Sequence, residues 1–222
     1  MRTAFLFDLN GTMIDDMEYH VTAWTDILNN DLRAGLSVSD IRKQMYGKND
    51  ELFARIFGAG HFTQAEMDRW SMEKERRYQK AFLPHLKLID GLESFLLESR
   101  AQGVSMGIGT AAIPFNLDFV LDGLQLRPYF DAIVTADDVT LSKPDPEVYL
   151  KCAALLQTPP DRCIVFEDAP KGIEAAMNAG MKAVVILSTL HAKQEFAAYP
   201  NVIKYIDNYT EISPAVLQEQ VQ

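Results

Sequence analysis

The hydrophobic residues of this chain follow two different spacings, and the change between them comes early. Residues 2–7 form a short apolar run that is typical of a buried strand. From residue 17 to about residue 82 the apolar positions follow the helical period, as Val21, Trp24 and Leu28 do at i, i+3 and i+7. We therefore expect one short strand followed by a long segment that is helical throughout.

Residues suited to helix caps divide this helical segment. Thr63, with Glu66 three residues later, has the pattern of a capping box and predicts the start of a long helix. The expected helices run from Ser37 or Ser39 to Tyr46, from Asn49 or Asp50 to Phe57, and from Thr63 to Phe82.

After Pro84 short apolar strands alternate with amphipathic helices. The expected helices cover residues 92–100, 114–121, 146–156 and 171–178, and the expected strands cover residues 104–108, 132–134, 163–166 and 183–187. Strands separated by helices of this length imply parallel units with right-handed crossovers. An edge strand at Tyr205–Ile206 and a closing helix at residues 212–217 complete the pattern.

This order of elements predicts an α/β fold, a Rossmann-like doubly wound parallel sheet with an inserted α-helical domain. We expect residues 1–16 and 83–222 to form the sheet domain and residues 17–82 to form the helical domain. Of the 222 residues 48% are hydrophobic, which is enough for a well-filled core.

The charge of the chain limits its partners. Lys and Arg number 21 against 31 Asp and Glu, so the formal charge is −10, which repels nucleic acid and anionic membranes. We expect no partner of either kind. An acidic protein that handles phosphate needs a cation to offset its own carboxylates, so a divalent metal is already a reasonable expectation.

The two cysteines and the first residues bear on the compartment. Cys152 and Cys163 have neither the number nor the spacing of a disulfide framework or a zinc site, so we interpret them as core thiols. The first strand begins without a basic and apolar leader, and no apolar run is long enough to span a bilayer. We expect a cytoplasmic protein that acts as a monomer.

The first strand ends in a residue suited to chemistry. In open α/β sheets ligands bind at the carboxyl ends of the strands, where Asp8 lies. Gly11 and Thr12 follow and offer backbone and hydroxyl donors. The alternative is a plain strand end with a capping aspartate, and Asp8 alone does not decide between them.

Three later segments supply partners for this carboxylate. Thr110 follows a strand, although such a threonine is more often a turn or cap residue. Lys143 stands in a turn stiffened by two prolines, which distinguishes it from an ordinary surface lysine. Glu167 and Asp168 end another strand, and adjacent carboxylates are costly to desolvate unless a cation lies between them and Asp8.

These segments together resemble a known family. The ordered run DxNGT, a strand ending in Thr110, SKPDP and FEDAPKGIEAA is similar to the four motifs of the haloacid dehalogenase superfamily, in its β-phosphoglucomutase-like branch. The resemblance covers nearly the whole chain, and it implies that the inserted helices form a cap domain. It further implies an Mg²⁺-dependent phosphatase or phosphotransferase that acts on a small phosphorylated metabolite.

The resemblance also implies roles for single residues. Asp8 is the expected nucleophile, which forms an aspartyl phosphate. Mg²⁺ is expected to be held by the carboxylates of Asp8 and Asp168 and the backbone carbonyl of Asn10, with Glu167 in or near the same shell. Thr110 and Lys143 are expected to bind the oxygens of the phosphoryl group in transfer.

Asn10 departs from the family pattern, which usually has an aspartate there as general acid and base. An amide cannot transfer that proton, and the loss of such help costs about 10²–10⁴-fold in rate. Three explanations stay open: an introduced Asp-to-Asn change, a naturally muted site, and a substrate whose leaving group needs no proton. We expect a slow catalyst or a binder.

The helical domain is expected to select the substrate. Where the mutase pattern has a lysine and an arginine that hold a second phosphate, this chain has Tyr46 and Asp50. This favours a sugar phosphate phosphatase over a β-phosphoglucomutase, although Lys48 could substitute, as could Arg42 or Lys43. His20 matches the mutase pattern and keeps that alternative open, with the option that it is an ordinary packed histidine. A non-catalytic, phosphate-binding regulatory protein is the third alternative.

Overall fold

The computed structural model describes residues 3–187 and 190–221, and it divides the chain into two compact units. One unit comprises Met1–Asp15 and Lys87–Gln222, and the other comprises Asp16–Leu86. The helical unit was expected to begin at residue 17 and end at residue 82, so it begins one residue earlier and ends four residues later than expected. Arg2 of the expected first strand lies outside the described residues.

The first unit is built on a parallel sheet. Within the described residues, six strands pair in the order β3-β2-β1-β4-β5-β6, and every pairing is parallel. This confirms the α/β fold and the Rossmann-like sheet. The strands are β1 Ala4–Phe7, β2 Ser105–Gly109, β3 Ala132–Val134, β4 Cys163–Glu167, β5 Lys182–Ile186 and β6 Val202–Ile206.

The second unit is helical. Its described α-helices are α1 Met17–Thr25, α2 Val38–Gln44, α3 Asn49–Phe57 and α4 Gln64–Phe82. Asp26–Asp31 continues α1 as a π-helix, a widening that the apolar period did not indicate. The core of this unit contains Trp24, Leu28 and Phe53, each nearly fully buried. The expectation of a wholly helical segment without strands is confirmed.

The helix caps of the second unit agree with the sequence in two cases out of three. Ser37 caps α2, and Thr63 and Glu66 form the expected capping box of α4. The start of α3 was wrong by one residue, because its N-cap is Lys48 rather than Asn49 or Asp50. The Glu51 side chain accepts a hydrogen bond from the Lys48 N–H at 3.1 Å, and so a side chain inside the helix satisfies this end.

The remaining helices flank the sheet. They are α5 Leu92–Ala101, α6 Pro114–Gly123, α7 Glu147–Leu155, α8 Pro170–Asn178 and α9 Pro214–Gln218. No helix in the described part of the chain has the length and hydropathy that a bilayer crossing requires. The expected elements of this unit are all present, with ends that shift by one or two residues apart from the last strand, which extends three residues further back.

Alternate residues of the central strands fill opposite faces of the sheet. Leu6 and Val165 belong to the core cluster that contains α7 and α8 residues. Phe7 and Phe166 face the other way and stack at 4.6 Å between ring centroids. Because β1 lies between β2 and β4, with Phe7 level with Ile108 and Phe166, the residues that follow these strands emerge at one edge.

Candidate active site

The carboxyl edge of the sheet brings together a buried lysine and two carboxylates. The Lys143 Nζ donates to Asp8 Oδ1 at 2.7 Å and to Glu167 Oε1 at 2.8 Å. Asp8 follows β1, and Glu167 ends β4, while Lys143 comes from the loop before α7. Both carboxylates are nearly buried, and 9% of the lysine side chain is exposed, so the three charges interact with little screening by water.

The loop that carries Lys143 is held in place at both ends. Glu147 at the start of α7 accepts backbone N–H hydrogen bonds from Thr140 and Leu141 at 2.8 and 2.9 Å. Asp145 in turn accepts from the N–H of Glu147 at 2.9 Å. These contacts fix the segment on either side of the lysine, and the two prolines of the run limit its backbone further.

Glu167 is fixed by more than the lysine. Its Oε1 also accepts from the Tyr149 hydroxyl at 3.2 Å, and its Oε2 accepts from the Ala169 N–H at 2.7 Å. The carboxylate lies over Gly172, where a Cβ would come within 1.7 Å of Oε1. The bare backbone of α8 therefore makes room for this side chain.

Asp168 is held by the loop after β1. The Thr12 hydroxyl donates to Asp168 Oδ1 at 3.2 Å, and Thr12 itself is fully buried. Gly11 has φ +72°, and a Cβ there would be 2.2 Å from Asp168 Oδ2. Glycine at this position therefore serves both the left-handed backbone and the close approach of the carboxylate.

Thr110 and Asn10 complete the edge. The Thr110 side chain lies near Asp8, where it acts to lower the pKa of that carboxyl, and the Thr110 N–H donates to the carbonyl of Val134 at 3.0 Å at the end of β3. Asn10 is half-buried in the loop after β1, where its backbone pairs with that of Ile14. The structure thus places all the expected core residues, Asp8, Asn10, Thr110, Lys143, Glu167 and Asp168, at the same edge of one unit.

Burial and crowding of like charges dominate the electrostatics. Burial raises the pKa of Asp8 to about 6, although the Lys143 ammonium acts in the opposite direction. Burial, Glu167 and Asp8 together hold the pKa of Asp168 well above its usual range. Burial alone would lower the pKa of Lys143, but the Asp8 and Glu167 carboxylates outweigh it and raise that pKa.

The donor set fits a hard divalent cation. Glu167 and Asp8 crowd Asp168 with like charge, and Lys143 donates to Asp8 and to Glu167. Two carboxylates and a backbone carbonyl, with water, are the oxygen ligands that Mg²⁺ prefers. In residues 3–187 and 190–221 no three His, Cys, Asp or Glu side chains converge as a ready-made metal centre. A set made of Asp8, Asp168 and the carbonyl of Asn10 requires only two such side chains.

The helical unit has its own buried polar cluster around His20. The Lys74 Nζ lies 2.6 Å from His20 Nδ1, and His20 Nε2 lies 3.2 Å from Asp16 Oδ2. Tyr78 donates to the same Asp16 oxygen at 2.5 Å and stacks on the His20 ring. Lys74 also contacts both oxygens of Glu75. Because an ammonium donates and cannot accept, Nδ1 accepts from Lys74 and the Nε2–H donates to Asp16.

The segment around Tyr46 is shaped by an arginine from α3. The Arg55 guanidinium stacks on the Tyr46 ring at 3.8 Å and donates to the carbonyls of Gln44 and Tyr46 at 2.7 and 2.6 Å. Tyr46 is 42% exposed. Lys48 caps α3, as described above. Two further cations considered from the sequence are paired with acids: Arg42 with Glu18, and Lys43 with Asp40.

Sequence reasoning missed three residues that support the edge. Tyr149 and Gly172 contact Glu167, and Tyr209 contacts the loop that holds Asp168. The two tyrosines belong to no group that the sequence singled out, whereas Gly172 lies within the FEDAPKGIEAA run but was given no role of its own. Tyr149 is six residues after Lys143 on a predicted helix, so its position near the lysine was the one available signal. Gly172 is near Glu167 in sequence, and Tyr209 becomes a neighbour of the site only through the tertiary fold.

Comparison with known proteins gives one consistent family. The model of the haloacid dehalogenase-like hydrolase family matches residues 5–186. The chain is 32% identical over 183 residues to the fructose-1-phosphate phosphatase YqaB of Escherichia coli, covering 81% of this chain and 93% of that protein. It is 31% identical over 186 residues to the β-phosphoglucomutase of Bacillus subtilis, covering 82% of this chain and 81% of the other.

A solved structure shows the same fold along the whole chain. The β-phosphoglucomutase of Clostridium difficile superposes with a TM-score of 0.84 at 25% identity, and the match covers 100% of this chain and 97% of that one. The family match, the sequence relatives and this structure agree with the parallel sheet and its helical insertion.

Proposed function

Because the chain belongs to the haloacid dehalogenase-like hydrolase family, we propose that it is an Mg²⁺-dependent phosphomonoester hydrolase. Its substrate is a small phosphorylated metabolite, in the first place a sugar phosphate, since relatives at 32% and 35% identity are a fructose-1-phosphate phosphatase and a hexitol phosphatase. The observation that carries the proposal is the Lys143 ammonium, 2.7 Å from Asp8 in a buried edge that also holds Thr110 and Asp168.

Asp8 is the nucleophile in this proposal. Its carboxylate attacks phosphorus, the bond from phosphorus to the sugar oxygen breaks, and that oxygen takes a proton from water because the Asn10 amide cannot supply one. A second water molecule then cleaves the aspartyl phosphate, which releases phosphate and restores Asp8. Splitting the displacement into two steps lowers each barrier. With a pKa of about 6, Asp8 is ionised at neutral pH and more basic than an exposed aspartate, which suits attack on phosphorus.

The surrounding residues bind and orient the phosphoryl group. Lys143 and the Thr110 hydroxyl both lie against Asp8, where they reach oxygens of a group in transfer from or to that carboxylate. Glu167 holds Lys143, and Thr12 holds Asp168. A bound Mg²⁺, on Asp8, Asp168 and the carbonyl of Asn10 with Glu167 in or near its shell, would offset phosphoryl negative charge.

The helical unit favours a monophosphate over a bisphosphate. A mutase must hold a second phosphate, and the exposed Tyr46 ring backed by Arg55 offers an aromatic face instead. Arg55 is occupied by the carbonyls of Gln44 and Tyr46. The segment around Tyr46 is therefore better suited to a sugar than to a second phosphate.

The test is phosphate release from a panel of sugar and hexitol phosphates, with Mg²⁺ and with a chelator. We expect release that requires Mg²⁺ and that Asp8→Asn abolishes, while the variant keeps its circular dichroism spectrum. Release that persists in Asp8→Asn would contradict the proposed nucleophile. Absence of release with both the chain as given and Asn10→Asp would contradict the hydrolase.

The 31% identity to a β-phosphoglucomutase supports a second candidate, an isomerase acting on the same kind of substrate. The same assay separates the two. Conversion of β-glucose 1-phosphate to glucose 6-phosphate that outpaces phosphate release selects the mutase. A third outcome, Mg²⁺ binding without turnover by either form of residue 10, selects the regulatory role.

A further inference from the structure

A tyrosine near the end of the chain contacts the loop that follows the first strand. Tyr209 is 1% exposed, and its hydroxyl donates to the backbone carbonyl of Thr12 at 3.1 Å, across 197 positions of sequence. The side chain of Thr12 donates to Asp168 Oδ1 at 3.2 Å. One residue thus connects the Tyr209 hydroxyl to a carboxylate of the candidate site.

The backbone of Tyr209 holds a second segment. Its N–H donates to the carbonyl of Asp90 at 3.0 Å, and the neighbouring Ile89 N–H donates to the carbonyl of Met13 at 2.9 Å. The contact is close, because a Cβ on Gly91 would lie 2.7 Å from the backbone nitrogen of Thr210. The chain leaves the sheet unit after Asp15, three residues beyond Thr12, and returns to it at Lys87, three residues before Asp90.

The ring of Tyr209 is fixed by the aromatic side of the sheet. Its centroid lies 6.4 Å from that of Phe7, 5.8 Å from Phe166 and 5.5 Å from Phe95. Phe7 directly precedes Asp8, and Phe166 directly precedes Glu167. The ring is therefore held rigidly against the two strands whose ends carry Asp8 and Glu167, and this fixes the position of its hydroxyl.

The hydroxyl is a permanent donor. Burial, with the nearby Asp168 and Asp8 carboxylates, holds the pKa of Tyr209 well above its usual range, so the proton stays in place at any working pH. A buried carbonyl that loses its donor is left unsatisfied, which is costly. The bond to Thr12 therefore restrains the loop that contains Gly11 and Asn10.

We propose that Tyr209 is a positioning residue, whose hydroxyl fixes the backbone of Thr12 and thereby the Asp168 carboxylate for metal binding and phosphoryl transfer. The inference rests on the proposed function. It adds a role in the site for a residue of the C-terminal part of the chain. The Phe variant removes the hydroxyl and leaves the ring, so the aromatic packing and the fold are retained.

The test compares Tyr209→Phe with Tyr205→Phe, which makes the same chemical change on β6, where the ring packs against the core cluster that contains Leu6 and Val165. We expect Tyr209→Phe to lower kcat by about tenfold and to weaken Mg²⁺ binding by about threefold to tenfold, with KM for the sugar phosphate nearly unchanged. Mg²⁺ affinity is measured calorimetrically without substrate, so it does not depend on turnover. Tyr205→Phe is expected to match the parent protein in both measurements.

A double variant shows whether the effect passes through Thr12. Thr12→Val removes the hydroxyl that holds Asp168, and Tyr209→Phe in that background is expected to weaken Mg²⁺ binding by less than twofold more. Unchanged Mg²⁺ affinity in Tyr209→Phe, or full additivity of the two changes, would overturn the positioning role. If the parent protein and Asn10→Asp both bind Mg²⁺ but release no phosphate, the proposed function fails, and the affinity measurements still decide the role of Tyr209.

Discussion

The carboxylate of Glu167 occupies the space that a side chain at Gly172 would need, since a Cβ there would be 1.7 Å from Oε1. The same oxygen accepts from Lys143 at 2.8 Å. The Glu167 side chain at the end of β4 therefore fits over α8 only because residue 172 has no Cβ. The position of Lys143, which donates to this carboxylate, depends on that fit.

Gly172→Ala is expected to displace Glu167 and with it Lys143. A carboxylate anchored to Ala169 and Tyr149 cannot move without breaking one of these bonds, so we expect a loss of kcat of about 10²-fold, as for the loss of one oriented charge in an active site. Phosphate release is the measurement. Gly180→Ala is not a suitable control because of its positive φ, whereas Ala175→Gly tests the same helix without added volume.

A kcat for Gly172→Ala within twofold of the parent would mean that Glu167 has a second position equally suited to holding Lys143. The crystal structure of the variant would then show where the carboxylate lies.

The local parts of this arrangement could be predicted from the sequence, whereas the contacts between distant segments could not. The strand ending at Asp8 and the Thr63 capping box depend on neighbouring residues, so pattern and propensity suffice for them. The approach of Glu167 to Gly172 depends on how the side chain at the end of β4 lies over the first turn of α8. Tyr209 meets Thr12 only after the whole sheet has formed. The π-helix at Asp26–Asp31 left no mark in the apolar spacing.

Lys143→Met is expected to reduce phosphate release by about 10²–10³-fold, because it removes the ammonium that lies between Asp8 and Glu167. It also leaves two buried carboxylates without their cation. Lys143→Arg retains the charge but presents a wider, planar group in a space where 9% of the lysine side chain is exposed, so only partial recovery is expected. Activity equal to the parent in Lys143→Met would exclude the lysine from phosphoryl binding.

Asn10→Asp is expected to raise the rate of phosphate release from sugar phosphates by about 10²-fold or more, because a carboxyl group at this position can transfer the proton that an amide cannot. The comparison is Asn30→Asp, at an exposed position of the helical unit, for which no gain is expected. Equal rates for residue 10 as Asn and as Asp would show that proton transfer at this position does not limit turnover. Protein free of deamidated Asn10 is required, and mass spectrometry of the Asn10-Gly11 peptide checks this.

Lys74→Met is expected to destabilise the protein by about 3–5 kcal/mol, since it removes the buried ammonium that contacts both Glu75 oxygens and His20 Nδ1. Urea unfolding followed by circular dichroism measures the loss. Lys80→Met, on the exposed side of the same helix, is the control and is expected to change stability by less than about 0.5 kcal/mol. A small effect of Lys74→Met would indicate that water replaces the ammonium in this cluster.

Mg²⁺ is expected to raise the melting temperature of the parent protein, whereas Asp168→Asn should remove that response. At a Mg²⁺ concentration of 100 times the Kd, binding adds about 2.7 kcal/mol, and this corresponds to roughly 5–10 °C for a chain of this size. Without metal, Asp168→Asn is expected to be more stable than the parent protein. Asp168 is crowded by Glu167 and Asp8, and the neutral amide relieves that repulsion. We therefore expect Asp168→Asn to melt higher than the parent in chelator at neutral pH and lower than the parent in saturating Mg²⁺. The exposed Asp161→Asn serves as the control and is expected to keep the full Mg²⁺ response. If Asp168→Asn kept that response as well, the metal would lie elsewhere than beside Asp168.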